Sequence, residues 1–484
     1  MTIHPLDLAI LLGYVAATVA FGVWIGRGQR TAADFLLGGR NLPWWALLIS
    51  IVATETSTAT FLSVPGIAWS RGDLTFLQLP LGYILGRTIA VSVLLPLYFQ
   101  GRLFTAYEVL RQRSGPIVRT LASGLFLVTR TLADGLRLYL AAVVLQIMLG
   151  WELWLAVTIV GATTVVYTVL GGIRAVVWTD VIQFVVYMLG AVAAMVLLDG
   201  NLDGGLLAVV ERAGERPDFA FDFDWDLAKP YTLWAGLIGG TVLSVGSHGV
   251  DQIIVQRYLS ARTLKDAQKA LFWSGPVVFA QFAVFLVLGL GLAAFYAANP
   301  PAQPFERADD VFADFIVRHL PVGLVGIVLG SVFSAAMSTL SSSLSASASA
   351  LINDFVLPVS GHDADEPFAV RSAKVATLVF ALLQMAVAMV DLGRGSPVVT
   401  KVLGIATVTT GMILGLFLLA MRRRRSSRAS LVGLLAGMVT TAVVIFVLPA
   451  LEIVLAWPWY GIVSCGSTTL AGLAASLLLT PDKP

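Results

Sequence analysis

Ser338, Ser341, Ser342, Ser345 and Ser349 recur at i, i+3, i+4, i+7 and i+11 within SVFSAAMSTLSSSLSASASALINDF, residues Ser331–Phe355. On a helix that spacing makes one continuous face. A stripe of hydroxyls on an otherwise apolar helix supports two chemistries. Ser and Ala let neighbouring helices approach closely. Hydroxyl and carbonyl oxygens are also the ligands that a hard cation accepts in place of water. The segment alone leaves both open.

Two further stretches carry polar residues inside apolar runs. ALLISIVATETSTATFLSVPGIAW holds a polar patch over Ala53–Thr60, with Glu55 inside it and Pro65-Gly66 after it. A locally broken membrane helix needs such residues, because it frees carbonyls that side chains must satisfy. A proline kink with back-bonded hydroxyls is the plainer reading. WAGLIGGTVLSVGSHGVDQ is weakened in the same way by Gly239-Gly240, Gly246 and Gly249, with Ser244, Ser247 and His248 between them.

Ionisable residues in such runs are costly and point to function. Glu55 and Arg87 are two of them, and Arg130, Asp134 and Arg137 share one helix face at i, i+4, i+7, where they can pair internally. Asp180, in GGIRAVVWTDVIQ, reads either as an acid favoured by a helix N-terminus or as the anionic ligand of a hydroxyl-lined cation site.

The elements that must position these residues are membrane helices. The chain is 57% hydrophobic and 12% charged, with mean hydropathy +0.86, which excludes an ordinary soluble domain. Apolar stretches predict an all-α polytopic protein of thirteen transmembrane helices, near 5–25, 44–68, 74–99, 120–149, 152–170, 176–198, 232–250, 268–297, 321–353, 371–391, 397–420, 429–450 and 456–479. Basic residues gather on alternate connections: Arg27, Arg30 and Arg40; Arg102, Arg111, Arg113 and Arg119; Arg174; Arg257, Arg262, Lys265 and Lys269; Arg371 and Lys374; Arg422–Arg425 with Arg428; and Lys483. By the positive-inside rule the N-terminus is outside and the C-terminus inside.

The two interrupted segments lie five spans apart, which suggests inverted five-helix repeats with a site between the broken helices. The expected division is an N-terminal helix and loop over 1–43, repeats over 44–200 and 232–421 flanking an outer loop at 201–231, and two further helices over 422–484. Cys465 is the sole cysteine and the four histidines are scattered, so no cysteine- or histidine-based metal centre is expected. No nucleophile–base pair or GxxxxGK[ST] sequence points to an enzyme or an ATPase.

Three blocks resemble the sodium:solute symporter family: VLGGIRAVVWTDVIQF (Val169–Phe184), GVDQIIVQRYLSA (Gly249–Ala261) and SAAMSTLSSSLSASASALINDF (Ser334–Phe355). FLLGGRNLPWW and TAYEVLRQRSG fit as well, so the resemblance spans about residues 5–420. It implies a leucine-transporter-like fold and sodium as coupling ion. Carried over residue by residue, sodium would be held by the carbonyls of Ala53, Thr56 and Ala335 and the hydroxyls of Ser338 and Thr339, where the family more often has Ser-Ser. Asp180, Ser341 and Ser342, with Ser338 shared, stand where some members hold a second sodium.

The expected activity is sodium-coupled import of a small polar solute bearing a carboxylate or an amine, by alternating access in a bacterial inner membrane. The lipid bilayer and the solute are the expected partners, with no nucleic acid and no obligatory protein. The expected solute-lining residues are Glu55, Thr58, Thr60, Gln78, Ser244, Ser247 and His248, with Thr407 and Thr410 further along. Arg130 or Arg137 suits an anionic group, and Glu55 an amine or hydroxyls. A proton-coupled carrier titrating on Glu55 or Asp180, and a transporter-derived sensor, are the alternatives.

Overall fold

The computed structural model describes residues 4–479 apart from 102, 302, 365, 391–397 and 423–425. Arg102, Arg423–Arg425 and Lys483 of the basic series lie outside the described residues, as do the sequence ends. Among the described residues the protein is helical throughout, with one isolated bridge between Leu42 and Ala261. The principal helices are α1 Pro5–Ile25, α2 Trp44–Glu55, α3 Thr58–Arg71, α4 Thr75–Tyr98, α5 Pro116–Leu149, α6 Leu153–Gly200, α7 Gly240–Gly249, α8 Gln252–Leu259, α9 Leu264–Ala298, α10 Leu324–Ser360, α11 Pro367–Ala388, α12 Val398–Ala420, α13 Ser427–Val447 and α14 Trp457–Leu478. Among the described residues, eight helices are long and apolar enough to cross a membrane, nine if α2 and α3 count as one bent span.

Both interruptions expected from sequence are present. The α2 and α3 axes differ by 63°, and a non-helical step at Val250–Asp251 separates α7 from α8. The two spans expected over 152–170 and 176–198 are both present: α6 is two helices that meet, with no loop between them, at the non-helical residue Gly172. There φ is 55° and ψ −159°, and a Cβ would lie 2.4 Å from the carbonyl of Phe35, so only glycine fits.

The hydroxyl-rich α10 is the central post, packed on α1, α5, α6 and α11. A helix buried on all sides is usually apolar throughout; α10 holds buried hydroxyls, most of which find a partner, Ser347 being the exception among the described residues. Ser334 donates back to Gly330 (2.6 Å). Farther along, Ser345 and Ser349 accept from the amides of Gln256 and Gln252 on α8 (3.2 and 3.3 Å), and Ser343 accepts from Gln384 on α11 (2.9 Å). Asp7 of α1 starts the helix: its carboxylate accepts from the backbone N–H of Gly323 (2.7 Å) and Gly326 (2.8 Å). An acid there complements the orphan donors and dipole of a helix N-terminus.

α4 crosses the start of α7 and the helical turn that leads into it, Ala235–Gly239, at glycines. A Cβ on Gly82 would lie 2.1 Å from the carbonyl of Gly236, so any side chain there forces the two backbones apart. This contact sets the distance from α4, which carries Arg87, to the α7–α8 break.

Candidate ion and solute site

At the end of α2, Thr56 leaves the helix with extended backbone, and Ser57 caps α3 by accepting from the N–H of Thr60 (3.4 Å). The last carbonyls of a helix lack intrahelical partners, and here that of Thr54 meets α10. The hydroxyl of Thr339 lies 3.5 Å from the carbonyl of Thr54 and 3.2 Å from that of Ala335. Thr58 reaches across to the carbonyl of Val332 (3.3 Å), and Gln281 of α9 donates to the Thr56 hydroxyl (2.5 Å). Ala53, Thr56, Ala335, Ser338 and Thr339 are all at most 2% exposed. Thr339 thus brings together oxygens of two helices, its own hydroxyl and the carbonyls of Thr54 and Ala335, atoms of the kind a hard cation accepts.

Ser338 turns toward α6, where its hydroxyl donates to Asp180 (2.6 Å). Ser50 of α2 donates to the other carboxylate oxygen (2.5 Å). That oxygen also receives Arg257 Nη2 (3.0 Å), and the same nitrogen donates to Ser342 (2.6 Å) and Thr54 (2.5 Å). Ser341 stands apart, its hydroxyl on the carbonyl of Ser338 (3.1 Å). Arg257, expected in a cytoplasmic connection, is wholly buried on α8.

A cavity of about 90 Å³ lies between the two breaks. Of the expected solute-lining residues, Glu55, Ser247 and His248 face it, joined by Thr410, Arg130 and Arg137. The others do not line it. Gln78 is fully engaged with backbone, donating to Thr75 (3.0 Å) and Tyr231 (3.1 Å) and accepting from Asp222 N–H (3.1 Å), so it anchors the outer loop. Ser244 bonds to the carbonyl of Tyr83 (3.0 Å) and cements α7 to α4. The Thr60 hydroxyl turns back to the carbonyl of Glu55 (3.5 Å), Thr58 faces α10, and Thr407 packs against Gly461.

The charges around the cavity are paired. Glu55 bonds to Arg87, which is wholly buried and also donates to Ser274 (2.9 Å). His248 Nε2 is 3.6 Å from the same Glu55 oxygen, and His248 Nδ1 bonds to Ser247 (2.9 Å). On α5, Asp134 holds Arg130 and Arg137, each at 2.6 Å. Arg130 extends to Asp251 (3.7 Å), whose carboxylate caps α8 through Ile253 N–H (2.9 Å). Arg137 also borders a small void of about 10 Å³ shared with Ser57, Ala335 and Thr339. One helix therefore sets a guanidinium beside each break. Arg257 and Asp251 are the partners that sequence reading missed; Arg87 stands out in the sequence as an ionisable residue inside an apolar run, and the i, i+4, i+7 spacing on α5 signals the Asp134 pairs.

The sodium:solute symporter family model matches residues 35–440. The chain belongs to that family.

It is therefore a secondary transporter and not an enzyme, coupling sodium to the symport of a small organic solute by alternating access. Among its relatives, the sodium/sialic acid symporter SiaT of Proteus mirabilis is 26% identical over 99% of this chain and 96% of its own length. The sodium-coupled monocarboxylate transporter 2 of Mus musculus is 30% identical over 86% of this chain and 68% of its own. Among solved structures, the substrate-bound outward-open state of a Na+-coupled sialic acid symporter superposes with TM-score 0.87 at 26% identity, covering 99% of each chain. A nucleobase-cation-symport-1 family transporter in a closed conformation matches at TM-score 0.57 and 15% identity, over 94% of this chain and 95% of its own, and speaks to the fold alone.

Proposed function

We propose that this symporter imports a small organic acid, holding the carboxylate at Arg130 and Arg137 and sodium at the α2–α3 break. The observation that carries the solute reading is Arg137: it lines the cavity, bonds to Asp134 through Nη1, and keeps a buried Nε without a hydrogen-bond partner among the described residues. A guanidinium with spare donors suits a carboxylate. Glu55 is engaged by Arg87, which weakens the alternative of an amine held at Glu55. The acids named for the relatives, sialic acid and monocarboxylates, agree with this class. Ser247, His248 and Thr410 would bond the rest of the solute.

Ala53, Thr56, Ala335 and Thr339 would hold sodium, with Ser338 at the edge of the set because its hydroxyl serves Asp180. Bound there, the ion supplies a positive charge that ties α2 to α10. That tie fixes the α2–α3 corner next to the void that Arg137 shares, so an ordered corner and a well-placed Arg137 favour each other. Coupling needs nothing more than this difference in affinity between states.

The thirteen-span organisation, the N-terminus outside and C-terminus inside, the division into repeats over 44–200 and 232–421, and a place in a bacterial inner membrane belong to the same reading. Full-length similarity to bacterial symporters supports them. Uptake into proteoliposomes tests it: an inward sodium gradient should drive accumulation of a sialic or short-chain monocarboxylic acid, and the matching ester should not compete. Equal competition by the ester removes the carboxylate assignment.

A further inference from the structure

The Asp180 cluster is built like a cation site, and a cation is already there. Arg257 Nη2 sits among three oxygens, at 2.5 Å from Thr54, 2.6 Å from Ser342 and 3.0 Å from Asp180. Its Nε donates to Ser50 (2.8 Å) and its Nη1 to the carbonyl of Ile253 (2.7 Å). The guanidinium is therefore bonded at all three nitrogens. Asp180 in turn is saturated, with Ser338 on one oxygen and Ser50 and Arg257 on the other.

Both partners are wholly buried. A second unit charge beside them would face a fixed guanidinium in a medium of low dielectric, where repulsion is strong. It would also have to displace bonds that the arginine makes in a preset geometry. Ser341, the remaining expected ligand, is turned to the carbonyl of Ser338. The residues present do not suit a second sodium.

We infer that Arg257 is the tethered cation of the Asp180 site, so that one sodium, not two, binds each chain. The inference rests on the sodium reading of the α2–α3 break and adds to it. Arg257 is carried by α8 together with Gln252 and Gln256, which bond to Ser349 and Ser345 farther along the stripe. Its charge thus belongs to the α7–α8 break and secures that element to α2, α6 and α10. In this reading the stripe is divided: its Thr339 end receives the exchangeable ion, and its Ser342–Ser349 end is reserved for α8.

Equilibrium binding of radioactive sodium to the purified, solute-free protein tests this without a transport assay. Wild type should saturate at one ion per chain, and Arg257→Gln, which leaves Asp180 without its cation, should saturate at two. Arg257→Lys, keeping the charge, should return to one. Wild-type saturation at two ions overturns the inference whether or not the variants fold. A folded Arg257→Gln chain that still binds one ion overturns it as well. No binding to wild type overturns the ion reading of the break and this inference together, a result distinct from two ions.

Discussion

Thr339 on α10 reaches the carbonyl of Thr54 on α2 at 3.5 Å and the carbonyl of Ala335 in its own helix at 3.2 Å. A single hydroxyl thereby joins the central post to the end of the broken helix. Removing it takes one oxygen from the proposed ion site and leaves little empty volume. Thr339→Ala should weaken sodium binding by about tenfold to a hundredfold, as loss of one bond to a charged group implies. In choline chloride its melting temperature should stay within about 3 °C of wild type. Unchanged sodium affinity would remove Thr339 from the ligand set.

Glu55 and Arg87 form a buried pair whose arginine is wholly shielded and whose glutamate borders the cavity. Losing one partner of such a pair leaves an uncompensated charge and costs about 3–5 kcal/mol. Arg87→Met should therefore lower the melting temperature sharply in detergent. Glu55→Gln combined with Arg87→Met should recover much of the loss, and a double variant no more stable than the single would argue against the pairing.

Asp134 clamps both guanidiniums of α5. Asp134→Asn keeps the shape and removes the charge, so Arg130 and Arg137 lose their alignment toward the cavity. Solute affinity should fall by about tenfold, and sodium affinity measured without solute should fall by less, through the corner that Arg137 shares. Equal loss of both affinities would mean that Asp134 serves the fold and not the solute.

The α4–α7 crossing gives a packing prediction. Gly82→Ala places a methyl against the carbonyl of Gly236 and should destabilise by about 1–3 kcal/mol. Gly13→Ala on α1 meets nothing within 4 Å and should be neutral in the same thermal assay. Equal effects of the two would show that the close approach is not a constraint.

Much of this architecture is legible in the sequence, and the failures share one cause. The polar patch before Pro65-Gly66 marks the first break because only a broken helix gives those hydroxyls and carbonyls partners outside the helix. The serine spacing marks one face of α10 correctly. It does not say that α8 reads half of that face through Gln252, Gln256 and Arg257. Arg257 was expected among cytoplasmic basic residues, because positive charge near an apolar segment usually marks the inner side. A single chain carries no sign that this arginine has a carboxylate waiting on α6. Gln78 misleads in the opposite sense: its place one span after the first break suggests the cavity, yet its amide is spent on backbone of the outer loop. In each case the chemistry of the residue is plain and its partner lies far away in the chain.

The most direct test of sodium coupling at this site is a thermal-shift screen of the purified protein against organic acids, run in sodium chloride and in choline chloride. A ligand that binds the folded state raises its melting temperature by mass action. We expect at least one acid to stabilise wild type in sodium only, and Thr339→Ala to lose that dependence. An acid that stabilises wild type equally in both salts would contradict sodium coupling through the α2–α3 break.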